Sequence, residues 1–352
     1  MENKRFTWRQ AVLPIIAAVL FISLLLLLIF FGGDGTENEP KSRTYYDLFD
    51  TISTVYDYTD GSNEDFEENL AKIEKLLYYY NSLFDIYESH EGINNLYTVN
   101  QNAGVAPVTV DGELIEFLEY SKEMYTLTGG EVNIAMGAVL SLWHDYREAG
   151  LAKPSEASLP SEKLLTEAAE HCDINNIVID RENSTVYLSD PKMSLDVGAI
   201  AKGYAVERAA ELLISLGVSG YALDIGGNLR TVGTKPDGEG WRTGVRNPDT
   251  SSDERYVYYF DLADGSAVTS GDYERYYTVN GKKYHHIIDK DTLMPSEYFA
   301  SVTVITESSA LADALSTALY CMDKESGEAL VKTLDGVKVV WVYHSGEIRE
   351  AE

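Results

Sequence analysis

Cysteine is almost missing from this chain: Cys172 and Cys321 are the only two in 352 residues, far apart and in no paired motif. That scarcity excludes a disulfide framework and a Cys-x-x-Cys metal centre. Both are read as buried thiols, since Cys321 closes an apolar helical stretch. Basic residues are also few, with 28 Lys and Arg against 57 Asp and Glu and a formal net charge of -29. Phosphates would be repelled over most of such a surface, and no basic stripe offsets it, so a nucleic-acid partner is excluded. No G-x-x-x-x-G-K-[ST] phosphate loop occurs, and no repeat recurs at solenoid periods.

Long apolar runs are absent with one exception, at residues 11–31, which follows Lys4, Arg5 and Arg9. At about 1.5 Å per residue a helix there reaches across a hydrocarbon core of about 30 Å. The run passes straight into Gly32-Gly33-Asp34-Gly35 without the small-residue cleavage pattern of a signal peptide, and no lipobox cysteine offers a lipid anchor. An uncleaved single-pass signal anchor is therefore expected. The flanking charges put residues 1–10 in the cytoplasm, 32–44 in a linker, and 45–352 in an extracytoplasmic domain at the cell membrane.

Phe66, Leu70, Ile73, Leu76, Leu77 and Tyr80 recur at helical spacing and predict a helix over 63–84, starting at Ser62 or Asn63. Further helices are expected over 112–128, 134–147, 161–172, 199–216, 309–322 and 325–334. Short β-branched and aromatic runs predict strands over 177–180, 185–188, 221–225, 229–232, 242–245, 256–262, 276–279, 284–288, 302–305 and 337–343. Helices and strands are segregated more than they alternate, which points to an α+β fold.

Three places carry more chemistry than a core requires. In Asp196-Val-Gly198-Ala199-Ile-Ala-Lys202-Gly203, a strand ends on a carboxylate and Lys202 stands in the first turn of the next helix. That arrangement suits an anion such as phosphate, and serves equally as a structural helix start. Asp313 and Thr317 lie four residues apart and so share one helical face; as hard oxygen donors they suit Mg²⁺ or Ca²⁺, and as structure they suit a helix dipole and a back-bonded hydroxyl. His285 and His286 are adjacent on a predicted strand and face opposite ways, leaving one of them as a candidate base. Asp224-Ile-Gly226-Gly227-Asn228 reads most simply as a hairpin turn.

Together the blocks Phe49-Asp50-Thr51, Thr128-Gly129-Gly130, Asn133-Ile-Ala-Met-Gly137, Asp196 to Gly203, Asp224 to Asn228, Thr269-Ser-Gly-Asp272, His286-Ile-Ile-Asp289 and Ala312-Asp-Ala-Leu-Ser-Thr317 resemble the ApbE family of FAD:protein FMN transferases. The resemblance implies an ApbE-like, T-fold-like domain with mixed or antiparallel sheets and packed helices. It implies that Asp196 and Lys202 contact FAD, that the Ala199 carbonyl joins Asp313 and Thr317 in holding Mg²⁺, and that His286 is the base. Ile287 and Ile288 are expected against the cofactor, Glu131, Val132 and Asn133 along the nucleotide, and Tyr87 as an aromatic contact. The chain departs from the family pattern in three places. It has Phe49-Asp50-Thr51 for Met-Gly-Thr, Asn133 for an aspartate, and Lys290 and Leu293 for a proline and a glycine.

The implied reaction transfers the FMN half of FAD to a Thr or Ser hydroxyl of an acceptor flavoprotein of extracytoplasmic or membrane electron transfer, releasing AMP. Two other readings stay open at this point: a Mg²⁺-dependent FAD pyrophosphatase that releases FMN, and a non-catalytic flavin-binding module.

Overall fold

Helix α1 (Asn63–Leu83) begins where its sequence says it should. The Ser62 hydroxyl accepts the Asp65 N–H at 3.1 Å while the Asp65 carboxylate accepts the Ser62 N–H at 3.0 Å. This reciprocal cap satisfies two otherwise orphaned donors. Phe66, Leu70, Ile73, Leu77 and Tyr80 form its buried stripe. The computed structural model describes residues 39–352, so the expected cytoplasmic segment 1–10 and span 11–31 lie outside the described residues. Among those described, no helix is long and apolar enough to cross a membrane.

Strands β1 (Lys41–Tyr45) and β2 (Ser53–Asp57) precede α1, and β1 starts inside the stretch expected to be linker. Helices α2 (Leu96–Gln101), α3 (Gly112–Leu127), α4 (Gly137–Ala152) and α5 (Glu162–Ala169) follow, with β3 (Val108–Thr109) between the first two of these. Then come β4 (Ile177–Asp180), β5 (Thr185–Leu188) and α6 (Ala201–Ser215). The second half runs through β6 (Tyr221–Ile225), β7 (Asn228–Val232), β8 (Trp241–Arg246), β9 (Tyr256–Leu262), β10 (Ser266–Gly271), β11 (Tyr276–Val279) and β12 (Lys282–His285). It closes with β13 (Ser301–Thr306), α7 (Ser309–Cys321), α8 (Lys324–Val331), β14 (Lys338–Val342) and β15 (Ile348–Ala351).

The main sheet has eight strands in the order β1-β2-β6-β7-β10-β13-β14-β15, and every described pairing in the fold is antiparallel. The α+β expectation holds, and the sheets are antiparallel throughout the described residues. Helices α6 and α7 pack along each other, α1 packs on α6, and α7 lies on β10 and β13. Helix α7 is buried on almost every side, from Ser309 and Ala310 through Leu315 to Cys321, as expected of a helix apolar all round. Cys321 is buried as expected, while Cys172 keeps some exposure.

Gly226 and Gly227 join β6 to β7 with φ of 60° and 86°, and Ile225 pairs Asn228 across them. The two positive φ values demand glycines, so the hairpin reading of this block is correct.

A second glycine fixes the distance between α6 and α7. A Cβ on Gly203 would stand 2.3 Å from Asp313 Cβ and 2.4 Å from the Ser309 carbonyl oxygen, inside any tolerable contact. Gly203→Ala is expected to force the helices apart and lower the unfolding free energy by about 1–3 kcal/mol, the range typical of overpacking. Urea unfolding followed by circular dichroism checks this; an unchanged midpoint would contradict the close helix approach.

Candidate active site

The approach of α6 to α7 builds one half of the site. Glu207 Oε2 accepts the Ser309 N–H at 2.5 Å, and one turn away the Gly203 N–H donates to Asp313 Oδ2 at 2.7 Å. Residue numbers fall along one helix as they rise along the other, so the helices run antiparallel. Thr317 stands one turn beyond Asp313 on α7, in the direction in which α6 runs back toward its start. Buried Arg230 of β7 holds Glu207 from its other side, with Nε at 3.3 Å from Oε2.

Helix α6 was expected from residue 199 and begins at Ala201. Its first intrahelical bond runs from the Tyr204 N–H to the Ile200 carbonyl at 3.1 Å. The Gly203 N–H, which would reach Ala199 in a longer helix, goes to Asp313 instead. Ala199 is thus left in the turn before the helix, with its carbonyl outside the helical ladder. The N-cap residue Ile200 offers no side-chain cap, and Lys202 in the first turn has Nζ at 3.9 Å from Asp313 Oδ1. Burial raises the Asp313 carboxyl above the usual carboxylate range, against the pull of Lys202, the Gly203 N–H and the Asn228 amide. Asn228 is itself buried, and its amide nitrogen has no hydrogen-bond partner of good geometry.

Thr317, half-buried, lies one turn beyond Asp313 on the same helix. Its hydroxyl is 3.4 Å from Ser270 Oγ on β10, which is 2.9 Å from Ser316 Oγ. Among the described residues no three His, Cys, Asp or Glu side chains converge as a metal cluster. Asp313 and Thr317 offer donors of a different kind, a carboxylate and a hydroxyl on one helical face, and as hard oxygen donors these suit Mg²⁺ or Ca²⁺.

The other half centres on Asp196 and His286. Asp196 and His286 keep solvent-accessible surface, yet protein surrounds each so densely that desolvation dominates its titration. Burial raises the Asp196 carboxyl, opposed by the Gly198 N–H at 2.9 Å and by His144, Arg147 and Arg275. Burial pushes His286 down to about 3, helped by Arg275, Arg147, His285 and Lys202. Lys202 therefore acts on both halves.

The two histidines separate as the sequence implied, although β12 ends at His285 and leaves His286 in the bend beyond the expected strand. His285 is buried, with Nε2 donating to the Ser296 carbonyl at 2.8 Å and Nδ1 accepting the Ile287 N–H at 3.3 Å. Both its nitrogens are occupied. His286 contacts the Arg275 carbonyl through Nδ1 at 3.2 Å. A carbonyl only accepts, so Nδ1 carries the proton and Nε2 holds the free lone pair.

The remaining expected contacts divide. Tyr87 is 56% exposed, its ring 5.5 Å from that of His144 and its phenol within the field of Asp196. Glu131 is paired with Lys290 at 3.3 Å, and burial raises its carboxyl. Val132, Ile287 and Ile288 put their side chains into hydrophobic clusters. Asn133 spends its amide on structure, accepting the Ala135 N–H at 2.9 Å and donating to the Cys172 carbonyl at 3.0 Å. Where the family pattern has glycine, Asp50 and Leu293 adopt φ of 52° and 58°, a left-handed backbone without glycine. Trp143 Nε1 donates to the Leu293 carbonyl at 2.9 Å and holds that turn.

Arg147 and Arg275 were missed from the sequence. Arg147 lies one turn after His144 on α4 with Nη2 at 3.0 Å from His144 Nδ1; Arg275 reaches the Asp50 carbonyl at 3.4 Å and presents its own carbonyl to His286. The spacing of His144 and Arg147 on one helical face was the only local signal, and it is a common one.

The ApbE family model matches residues 49–341. An FAD:protein FMN transferase of Treponema pallidum is 32% identical over 268 residues, covering 72% of this chain and 72% of that one. One from Vibrio cholerae is 31% identical over 282 residues, covering 76% of this chain and 80% of its own. The crystal structure of the ApbE protein from Thermotoga maritima superposes with a TM-score of 0.76 at 27% identity, covering 89% of this chain and 97% of that one. The flavin transferase ApbE from Vibrio cholerae, at 24% identity and a TM-score of 0.72, shares the fold over 88% of this chain and 96% of its own. With a family match spanning nearly all of the described fold, and with Asp313, Lys202 and Gly203 drawn together by the approach of two helices, this chain belongs to the ApbE family.

Proposed function

We propose that this chain is an FAD:protein FMN transferase that attaches FMN to a Thr or Ser hydroxyl of an acceptor flavoprotein and releases AMP. The observation that carries the reading is the Gly203–Asp313 bond between α6 and α7, which sets Lys202 of one helix beside Asp313 on the face of the other that also bears Thr317.

Asp313, Thr317 and the Ala199 carbonyl are the residues that would hold Mg²⁺. When bound, the ion neutralises charge on the FAD pyrophosphate and makes the FMN phosphorus a better electrophile. Lys202, in the first turn of α6, takes up the negative charge that grows on the phosphate oxygens, and the positive end of the helix dipole adds to it. Tyr87 offers an exposed ring for stacking, and Glu131 and Asn133 flank the nucleotide through their own chain segment. The acceptor hydroxyl loses its proton to His286 Nε2 and forms the new P–O bond. The P–O bond to AMP breaks. Phosphoryl transfer asks little more of a protein than positioning and charge, and these residues supply both.

The apolar run at 11–31 would anchor the enzyme by one pass in the cell membrane with its catalytic domain outside, where acceptors of extracytoplasmic or membrane electron transfer are exposed. Incubating the full-length protein with FAD, Mg²⁺ and a threonine-bearing acceptor is expected to give a fluorescent acceptor band that survives denaturing electrophoresis. Free FMN with an unlabelled acceptor would mean hydrolysis in place of transfer, and intact FAD would mean binding alone.

A further inference from the structure

Three hydroxyls beside the Asp313–Thr317 face form a chain whose direction can be worked out from donor counting. Ser316 Oγ donates to the Asp313 main-chain carbonyl at 3.0 Å; that oxygen has no proton to give, so the only proton of Ser316 is committed there. The 2.9 Å contact between Ser270 Oγ and Ser316 Oγ must then be donated by Ser270. With its own proton committed, Ser270 can only accept at its second contact, so across 3.4 Å the Thr317 hydroxyl is the donor. That contact is long for an O–H···O bond, so it steers the hydroxyl and tethers it little. A threonine whose proton points at Ser270 turns its lone pairs away from Ser270, where they are free to ligate.

We propose that Ser270 is a positioning residue that orients the Thr317 hydroxyl as a lone-pair donor for the cation, through the chain Thr317 to Ser270 to Ser316 to the Asp313 carbonyl. The inference rests on the reading of Asp313 and Thr317 as metal ligands. Ser316 is fully buried and Ser270 half-buried, so water offers Thr317 little competition on that side. The order also explains why three adjacent small residues of β10 and α7 carry hydroxyls in a region where alanine would pack as well. Without Ser270, nothing dictates the Thr317 rotor, and orientations that aim a proton at the cation become available. Groups that orient metal ligands commonly change affinity by about 10–100-fold when removed.

The test is a Mg²⁺ titration of the thermal midpoint of the full-length protein in detergent, without FAD, alongside calorimetric Mg²⁺ binding. Ser270→Ala is expected to raise the half-saturating Mg²⁺ concentration about tenfold. Ser270→Thr, which keeps the hydroxyl, is expected to stay near the wild-type value. Ser316→Ala is expected to shift it in the same direction as Ser270→Ala, because the freed Ser270 proton can then turn toward Thr317. It serves as the test should Ser270→Ala fail to fold. A Ser270→Ala or Ser316→Ala protein that loses thermal stability at the wild-type Mg²⁺ midpoint overturns the inference and leaves a structural role. Ser270→Thr as impaired as Ser270→Ala overturns it too, since the hydroxyl then does not matter. A wild-type protein with no Mg²⁺ response in either measurement overturns the metal reading itself, and the inference falls with it.

Discussion

Asparagine in place of Asp313 is expected to cut flavin transfer by roughly 10³-fold or more, the scale of losing several kcal/mol of transition-state charge stabilisation, while making the metal-free protein more stable at neutral pH. The two effects have one cause. Asp313 is buried beside a single lysine at 3.9 Å, and burial raises its carboxyl above the usual range. A raised folded-state value means that the native metal-free protein binds this proton more tightly than the unfolded chain does. Its stability therefore falls as pH rises from the ordinary carboxylate value through the raised one, and the penalty is complete above it. Asparagine keeps an oxygen for the Gly203 N–H and removes the charge. The stability gain of Asp313→Asn should be full above the raised value and shrink as pH falls from there toward the ordinary carboxylate value, where the wild-type carboxyl is neutral in both states.

Mg²⁺ should reverse the order. Saturating ion at about a hundred times its dissociation constant adds about 2.7 kcal/mol to a protein that binds it, and nothing to one that does not. Thermal scans of both proteins with and without Mg²⁺ check the reversal. Equal stabilisation of both would remove Asp313 from the metal site.

Much of this site could be read from sequence because it is made from short, local patterns. The four-residue spacing of Asp313 and Thr317 fixes a shared helical face whatever surrounds it, and α7 forms as expected. The Gly-Gly turn between β6 and β7 forms as expected too. What the sequence could not disclose is pairing across distance. The Gly203 to Asp313 bond spans 110 positions, and no local rule says that one helix start will lose a carbonyl bond so that a distant carboxylate gains one. Strands β1, β2, β3, β10 and β15 are not legible in the sequence for a related reason. Segments such as Ser266–Gly271 and Ile348–Ala351 are short or polar in alternation, and they become strands because neighbours supply hydrogen bonds. The same limit hid Arg147 and Arg275, whose charges bear on Asp196 and His286 only once the chain is folded.

His286→Gln is expected to lower flavin transfer by about 10²–10⁴-fold without moving the Mg²⁺-dependent thermal shift, because His286 is a base and holds no metal. The lower end of that range is favoured by the chemistry. In a loose phosphoryl-transfer transition state the nucleophile is little bonded and loses its proton late, so even a weak base suffices. A weak base is what the ligand-free site provides, with His286 pushed down to about 3 by burial and by Arg275, Arg147 and Lys202. The pyrophosphate of bound FAD brings negative charge among those same cations, and this favours the imidazolium. The His286 value must then be higher in the substrate complex than in the free enzyme. Since kcat/KM reports the free enzyme and kcat the complex, the acid limb of kcat should lie at higher pH than the limb of kcat/KM. The His286 contribution is the part that disappears in His286→Gln. Arg147→Met, which removes one of the opposing cations, should raise the kcat/KM limb toward the kcat limb. Limbs that coincide in the wild type, or that persist unchanged in His286→Gln, would assign the proton transfer to another group.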